Sequence, residues 1–228
     1  MNRFLLPVSV VGTVIGGTVL LKDYVAGGAC PSKATIPGKT VIVTGANTGI
    51  GKQTALELAK RGGNVILACR DMEKCEAAAK DIRGETLNPR VRAMHLDLAS
   101  LTSIREFARK IIKGTGVTVN ALHPGVARTE LGRHTGIHNS AFSGFMLGPF
   151  FWLLFKSPQL AAQPSTYLAV AEELENVSGK YFDGLREKAP SPEAEDEEVA
   201  HRLWTESAHL VGLAMAHGSP GRGHAIPR

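Results

Sequence analysis

Lys39 to Lys60 reads KTVIVTGANTGIGKQTALELAK, and this stretch decides the fold. Lys39 to Val43 is a short β-rich apolar run, and the turn Thr44 to Gly51 follows it at once. Beyond the turn Ile50, Thr54 and Leu58 recur at helical spacing, flanked by Ala55 and Ala59, until Gly62 and Gly63 stop the helix. The pattern is strand, glycine turn, helix. Gly45 lets the chain reverse sharply, while Gly49 and Gly51 let backbone amides approach a pyrophosphate held in the positive potential of the helix start. A structural turn without a ligand is the competing reading of three glycines alone. Asn64 to Cys69, NVILAC, supplies a second apolar strand and completes a βαβ unit. A third strand, Val91 to Leu96, ends in Asp97-Leu98. Ser100 then caps a helix with Ile104, Phe107, Ala108 and Ile111 on one face. This alternation implies an α/β fold, with helices on both faces of a parallel sheet.

The end of the second strand selects the dinucleotide, because a carboxylate there suits a free ribose 2′-hydroxyl and a cation suits a 2′-phosphate. Cys69-Arg70-Asp71 stands at that place. The Arg70 guanidinium favours NADP(H), although Asp71 adjoins it and an Arg-Asp surface pair is the alternative.

Composition narrows the remaining classes. The chain has 228 residues, of which 43% are hydrophobic and 21% charged, enough for a buried core. Its net charge is +5, but the basic residues are scattered and aromatics make up 6%, so nucleic acid is not an expected partner. Cys30, Cys69 and Cys75 are odd in number and form no CxxC pair, so they read as reduced thiols and not as a disulfide framework or zinc site. No metal site is expected. His134 and His138 are spaced i, i+4, but Gly136 lies between them and no third ligand is near.

Phe4 to Leu21 carries no charge over 18 residues. As a helix it would extend about 27 Å, against roughly 30 Å of bilayer hydrocarbon. A membrane anchor over residues 1–26 is the favoured reading; a cleaved signal or a segment lying on the membrane are the alternatives. Residues 27–38 are a linker of turn-forming residues, 39–213 the dinucleotide-binding domain, and 214–228 a flexible tail.

The motifs TGANTGIG, CRD, the DL after the third strand and His123-Pro124-Gly125-Val126 together resemble the short-chain dehydrogenase/reductase family. The hydrophobic start and the stretch NALHPGVARTELGRHTGIH bring the resemblance closest to its retinol dehydrogenases, a mitochondrial one in particular. The resemblance implies a Rossmann-like, doubly wound sheet and NADP(H)-linked interconversion of a lipophilic aldehyde and its alcohol, such as retinal and retinol. It implies a membrane-associated location, at the mitochondrial inner membrane. It also implies that Gly45, Asn47, Thr48, Gly49, Ile50 and Gly51 hold the adenosine and phosphates, with Arg70 on the 2′-phosphate. Asp97 and Leu98 would meet the adenine, and Pro124, Gly125 and Thr129 the nicotinamide end.

The sequence departs from that family at its chemistry. Family members carry an Asn-Asn-Ala-Gly strand, a catalytic Ser and a Tyr-x-x-x-Lys helix, and this chain passes from Lys110-Ile111-Ile112-Lys113 directly to a strand resembling the family's sixth. Two βα units, on the order of 60 residues or more, are missing. Tyr24, Tyr167 and Tyr181 have Gly28, Ala171 and Leu185 four positions on, so no tyrosine has its lysine. Hydride arriving at a carbonyl leaves an alkoxide, and without a placed proton donor that charge is unrelieved. No catalytic residue is therefore assigned, His123 being a weak substitute beside a Pro-Gly turn. The expected protein is an inactive oxidoreductase; a non-catalytic nucleotide- or partner-binding remnant and an unstable product are the alternatives. The family's dimer helices are also lost, leaving the oligomeric state open.

Structurally, Val117 to Leu122 is expected to enter the vacant slot beside the first strand. With a last strand near Ser178 to Phe182 as its neighbour, the sheet would be shortened to about five strands. AFSGFMLGPFFWLLF at 141–155 reads as a core segment or a lipophilic lid. In the acidic helix after Ser191-Pro192, Val199, Leu203 and Leu210 mark the packing side.

Overall fold

A computed structural model describes residues 5–111, 118–127, 129 and 152–213, with side chains from residue 12 onward. The chain divides into two compact units, Met1–Lys188 and Ala189–Arg228. The first unit begins with helix α1 (Leu5–Ala26) and then runs β1 (Thr40–Thr44), α2 (Gly49–Lys60), β2 (Asn64–Cys69), α3 (Met72–Thr86), β3 (Val91–His95) and α4 (Leu101–Ile111). These elements build a Rossmann-like α/β layer in which β2 lies between β1 and β3, all parallel. Thr40 stands opposite Asn64, and Val65 opposite Val91.

The all-apolar sequence of β2 follows from being covered on both faces. Val65, Leu67 and Cys69 face a core made by Leu58 and Ala59 of α2 and by Cys75, Ala79 and Ile82 of α3. Ile66 and Ala68 alternate to the other face, where Phe107 and Ile104 of α4 meet them. Gly62, at φ +82°, ends α2 by donating its N–H to the Ala59 carbonyl. Asn88, buried, ties this end down by donating from its amide to the carbonyls of Ala59 and Gly63. The linker is fastened to the same place: Ile36 N–H donates to Arg61 O, and Arg61 Nη1 to Ala34 O.

The expected five-stranded sheet does not form. Strand β4 spans only Ala121–His123 and pairs in parallel with β5 (Tyr181–Asp183), which pairs antiparallel with β6 (Arg186–Glu187). These three strands are a separate sheet, and among the described residues β1 has no partner on its outer edge. The expected neighbour of the late strand was right and its insertion beside β1 was not. The physical reason is coverage. A strand beside β1 needs apolar cover on both faces, whereas Val119, Ala121 and His123 are exposed. Polar groups instead fasten this segment to the later one: Val119 N–H donates to Ser178 Oγ, and Asn120 Nδ2 to Val177 O at 2.8 Å. Val117 and most of 141–155 lie outside the described residues, as do His134, His138 and residues 214–228.

Helices α5 (Pro158–Ala161) and α6 (Gln163–Val170) pack on α2 and contribute Val170 to the core. In the second unit a short 3-10 turn, Pro192–Ala194, precedes α7 (Glu197–Leu210), whose Asp196 cap accepts the Val199 N–H at 3.0 Å. Its packing side is misjudged by periodicity: Val199, Leu203 and Leu210 are all exposed, and Ala208 is the buried residue.

Candidate coenzyme site

The carboxyl ends of β1, β2 and β3 open into a cleft of about 370 Å³. This is where an open α/β sheet presents ligands. Gly45, Asn47 and Thr48 line one side. Gly45 stands at φ +63° and donates its N–H to the Ala68 carbonyl, holding the turn against the end of β2. Gly49, Ile50 and Gly51 do not line the cleft. They begin α2, and Gly51 serves packing: a β-carbon there would lie 2.5 Å from the Gly45 carbonyl oxygen. The glycine therefore lets the helix seat directly on the turn.

Arg70 lines the second side, joined by Lys74, which sequence reasoning missed. Asp71 sits between them, its carboxylate shared between the start of α3 and the Lys74 ammonium. One oxygen accepts the Lys74 N–H at 3.2 Å and the other lies 3.4 Å from Lys74 Nζ. The backbone N–H of Lys74 is the main reason the Asp71 carboxyl is held below its ordinary range. Asp71 is thus the N-cap of α3, and it lines the cleft together with Arg70 and Lys74. On the third side, Asp97 Oδ1 accepts the Ala99 N–H, and Leu98 exposes 63% of its surface at the cleft. An apolar side chain held open beside a polar turn suits a planar aromatic ring.

Pro124 and Gly125 do not line this cleft. Gly125, at φ +84°, lies under Lys156, whose Cε would be 2.7 Å from a β-carbon there. Thr129 does approach: its methyl carbon would lie 3.5 Å from a β-carbon on Gly49. His123 Nδ1 accepts the Gly125 N–H at 3.2 Å. Asp183, 3.8 Å from the same nitrogen, pairs more closely with Lys188 at 3.0 Å, and Lys188 is the main cause of its lowered carboxyl pKa. No tyrosine lines the cleft. Tyr167 donates its hydroxyl to Glu173, and burial followed by that carboxylate raises its pKa, the opposite of what a proton-donating phenol needs.

Cys69 and Cys75 correct another expectation. They are joined as a disulfide, and Cys30 alone is a free thiol. The spacing shows no motif, and only the return of α3 over the end of β2 brings the two together.

The short chain dehydrogenase family model matches residues 39–116. Over a 334-residue alignment covering all of both chains, this chain is 65% identical to retinol dehydrogenase 13 of Mus musculus. The chain belongs to the short-chain dehydrogenases. With retinol dehydrogenase 13 of Homo sapiens this short-chain dehydrogenase is 56% identical over 319 residues, covering 93% of this chain and 96% of that one. Because the mouse alignment has 334 positions and the chain 228 residues, 106 positions face no residue here. L-sorbose reductase from Gluconobacter frateurii, solved with NADPH and L-sorbose, superposes with a TM-score of 0.52 at 15% identity, over 67% of this chain and 97% of that one. That likeness is one of fold.

Proposed function

We propose that this short-chain dehydrogenase holds NADP(H) and does not turn over a retinoid. The carrying observation is the exposed Arg70 at the end of β2, lining the cleft with Lys74 while Asp71 caps α3 and pairs with Lys74. The cleft fits the adenosine half of the coenzyme. Gly45 to Thr48 offer a close-approaching backbone, Leu98 an apolar surface, and the two cations a seat for a 2′-phosphate. NADPH, when bound, supplies a hydride to a carbonyl. The residues of this chain bind and orient, but its sequence carries no Tyr-x-x-x-Lys to deliver the proton that the resulting alkoxide requires. Neither its tyrosines nor His123 lines the cleft. The retinal-to-retinol reaction of its relatives is accordingly the ancestral activity, and retinoid binding is not required for coenzyme binding.

The test is a fluorescence titration of the purified chain with NADPH and with NADH. Saturable binding that favours NADPH supports the reading, and equal or absent binding contradicts it. The uncharged run Phe4 to Leu21 supports membrane association, and the resemblance to a mitochondrial retinol dehydrogenase supports the inner mitochondrial membrane as the place. Among the described residues no helix is long and apolar enough to cross a membrane. Alkaline extraction of mitochondria should leave the chain in the pellet, and its release into the supernatant would reject an integral anchor.

A further inference from the structure

Between Cys69, the last residue of β2, and Cys75, in the first turns of α3, stand five residues that include Arg70, Asp71 and Lys74. The turn that forms the basic wall is therefore closed into a covalent loop. The two α-carbons are 6.1 Å apart, inside the range that a disulfide spans without moving the backbone. We propose that Cys69 and Cys75 are a reversible redox lock on the coenzyme's 2′-phosphate seat, closed when oxidised and loosened when reduced. The proposal rests on the NADP(H) reading of the cleft.

Three observations carry it. Cys69 is 3% exposed at the edge of the cleft and Cys75 is fully buried, so a small disulfide reaches the pair when the turn between them opens. Cys75 Sγ lies 3.3 Å from the Leu67 carbonyl oxygen, an acceptor ready for its S–H in the reduced state, so both states are accommodated without an orphaned group. Apart from the cross-link, the turn is held at its exposed rim by the Asp71 cap and the Asp71-Lys74 pair, both open to water. Covalent closure removes conformations in which Arg70 and Lys74 diverge, and a ligand then binds without meeting that ordering cost.

The chemistry is thiol-disulfide exchange with a low-molecular-weight disulfide. The Cys69 thiolate attacks one sulfur of RSSR, releasing one RS⁻ and forming a mixed disulfide. The Cys75 thiolate then displaces the second RS⁻. The two cysteines lose two protons and two electrons, and RSSR becomes two RSH.

The experiment uses the full chain with Cys30→Ser, so that the pair is the sole source of thiols. It is equilibrated in reduced or oxidised glutathione. Intact mass and peptide mapping score the cross-link, and coenzyme fluorescence measures the affinities for NADPH and NADH. The expected result is a Cys69-Cys75 peptide in oxidised buffer and NADPH affinity about threefold tighter than in the reduced form, a gain set by the fraction of reduced turns that are binding-competent. NADH affinity should change less. Cys75→Ser and Cys75→Ala should both match the reduced parent in either buffer, and two variants guard against one that fails to fold. Failure of the peptide to appear overturns the lock. So does a cross-link that leaves the NADPH-to-NADH preference unchanged, or a response that persists without Cys75. If neither redox state binds NADPH, the coenzyme reading falls and the lock falls with it. A cross-link with unaltered NADPH binding rejects the lock alone.

Discussion

Arg70 is exposed, and among the described residues no carboxylate is paired with it, Asp71 being engaged with the N–H and ammonium of Lys74. A guanidinium left in that state is available to a phosphate, and a charge-assisted pair of this kind is among the stronger polar contacts. Arg70→Ala should weaken NADPH binding about tenfold or more, equivalent to ~1.4 kcal/mol, while NADH affinity changes little. Parallel titrations check this, and equal losses for both coenzymes would place Arg70 away from the 2′ position. Arg70 was legible in the sequence because the end of the second strand has a known chemical duty. Lys74 was not, since a lysine in an exposed first turn reads as a solvated charge until Asp71 is seen to fix the turn around it. Gly51 was legible as a required glycine, and the structure adds a packing reason for it: a β-carbon there would meet the Gly45 carbonyl. The cross-link between Cys69 and Cys75 left no local signal, because it depends on a strand end and a helix meeting in space.

At the scale of elements, the βαβα run from β1 to α4 follows its hydrophobic periods closely. Ile104, Phe107 and Ile111 form the stripe that covers one sheet face, and β2 is apolar throughout because both of its faces are covered. The helix α3 ends less favourably. Leu87 stands in the left-handed region at φ +54°, donates its N–H to Arg83 O and leaves its side chain in water. A leucine there bears the steric cost that glycine avoids, and its exposed side chain returns little burial. Leu87→Gly should therefore raise stability by about 0.5–1 kcal/mol, after the entropic cost of glycine is subtracted from the relief of strain. Thermal unfolding checks this, and a lower Tm would show that the cap is not strained. Strand β4 was harder to place, because a run such as VTVNAL records its apolarity and not which edge it meets. Its destination was set by Asn120, Ser178 and the missing cover beside β1. The same limit applies to α7, where periodic Val199 and Leu203 are exposed and Ala208 is buried.

For the whole molecule, the chain keeps the stretch that the short chain dehydrogenase model matches, residues 39–116, and lacks 106 alignment positions present in its mouse relative. The three-stranded parallel sheet and its cleft stand on α2, α3 and α4, all of which precede the loss. The later strands survive as a separate small sheet. The proposed loss of turnover rests on the absence of Tyr-x-x-x-Lys from the sequence, since an alkoxide formed by hydride transfer needs a placed proton donor. The decisive measurement is the oxidation of NADPH by the purified full chain mixed with all-trans retinal, followed by coenzyme absorbance after saturable NADPH binding has been established on the same preparation. We expect coenzyme to be bound and its absorbance to fall no faster than in buffer with retinal alone. Retinol formed in step with NADPH loss, at a rate proportional to the concentration of the chain, would contradict that expectation and require another acid at the reacting carbon.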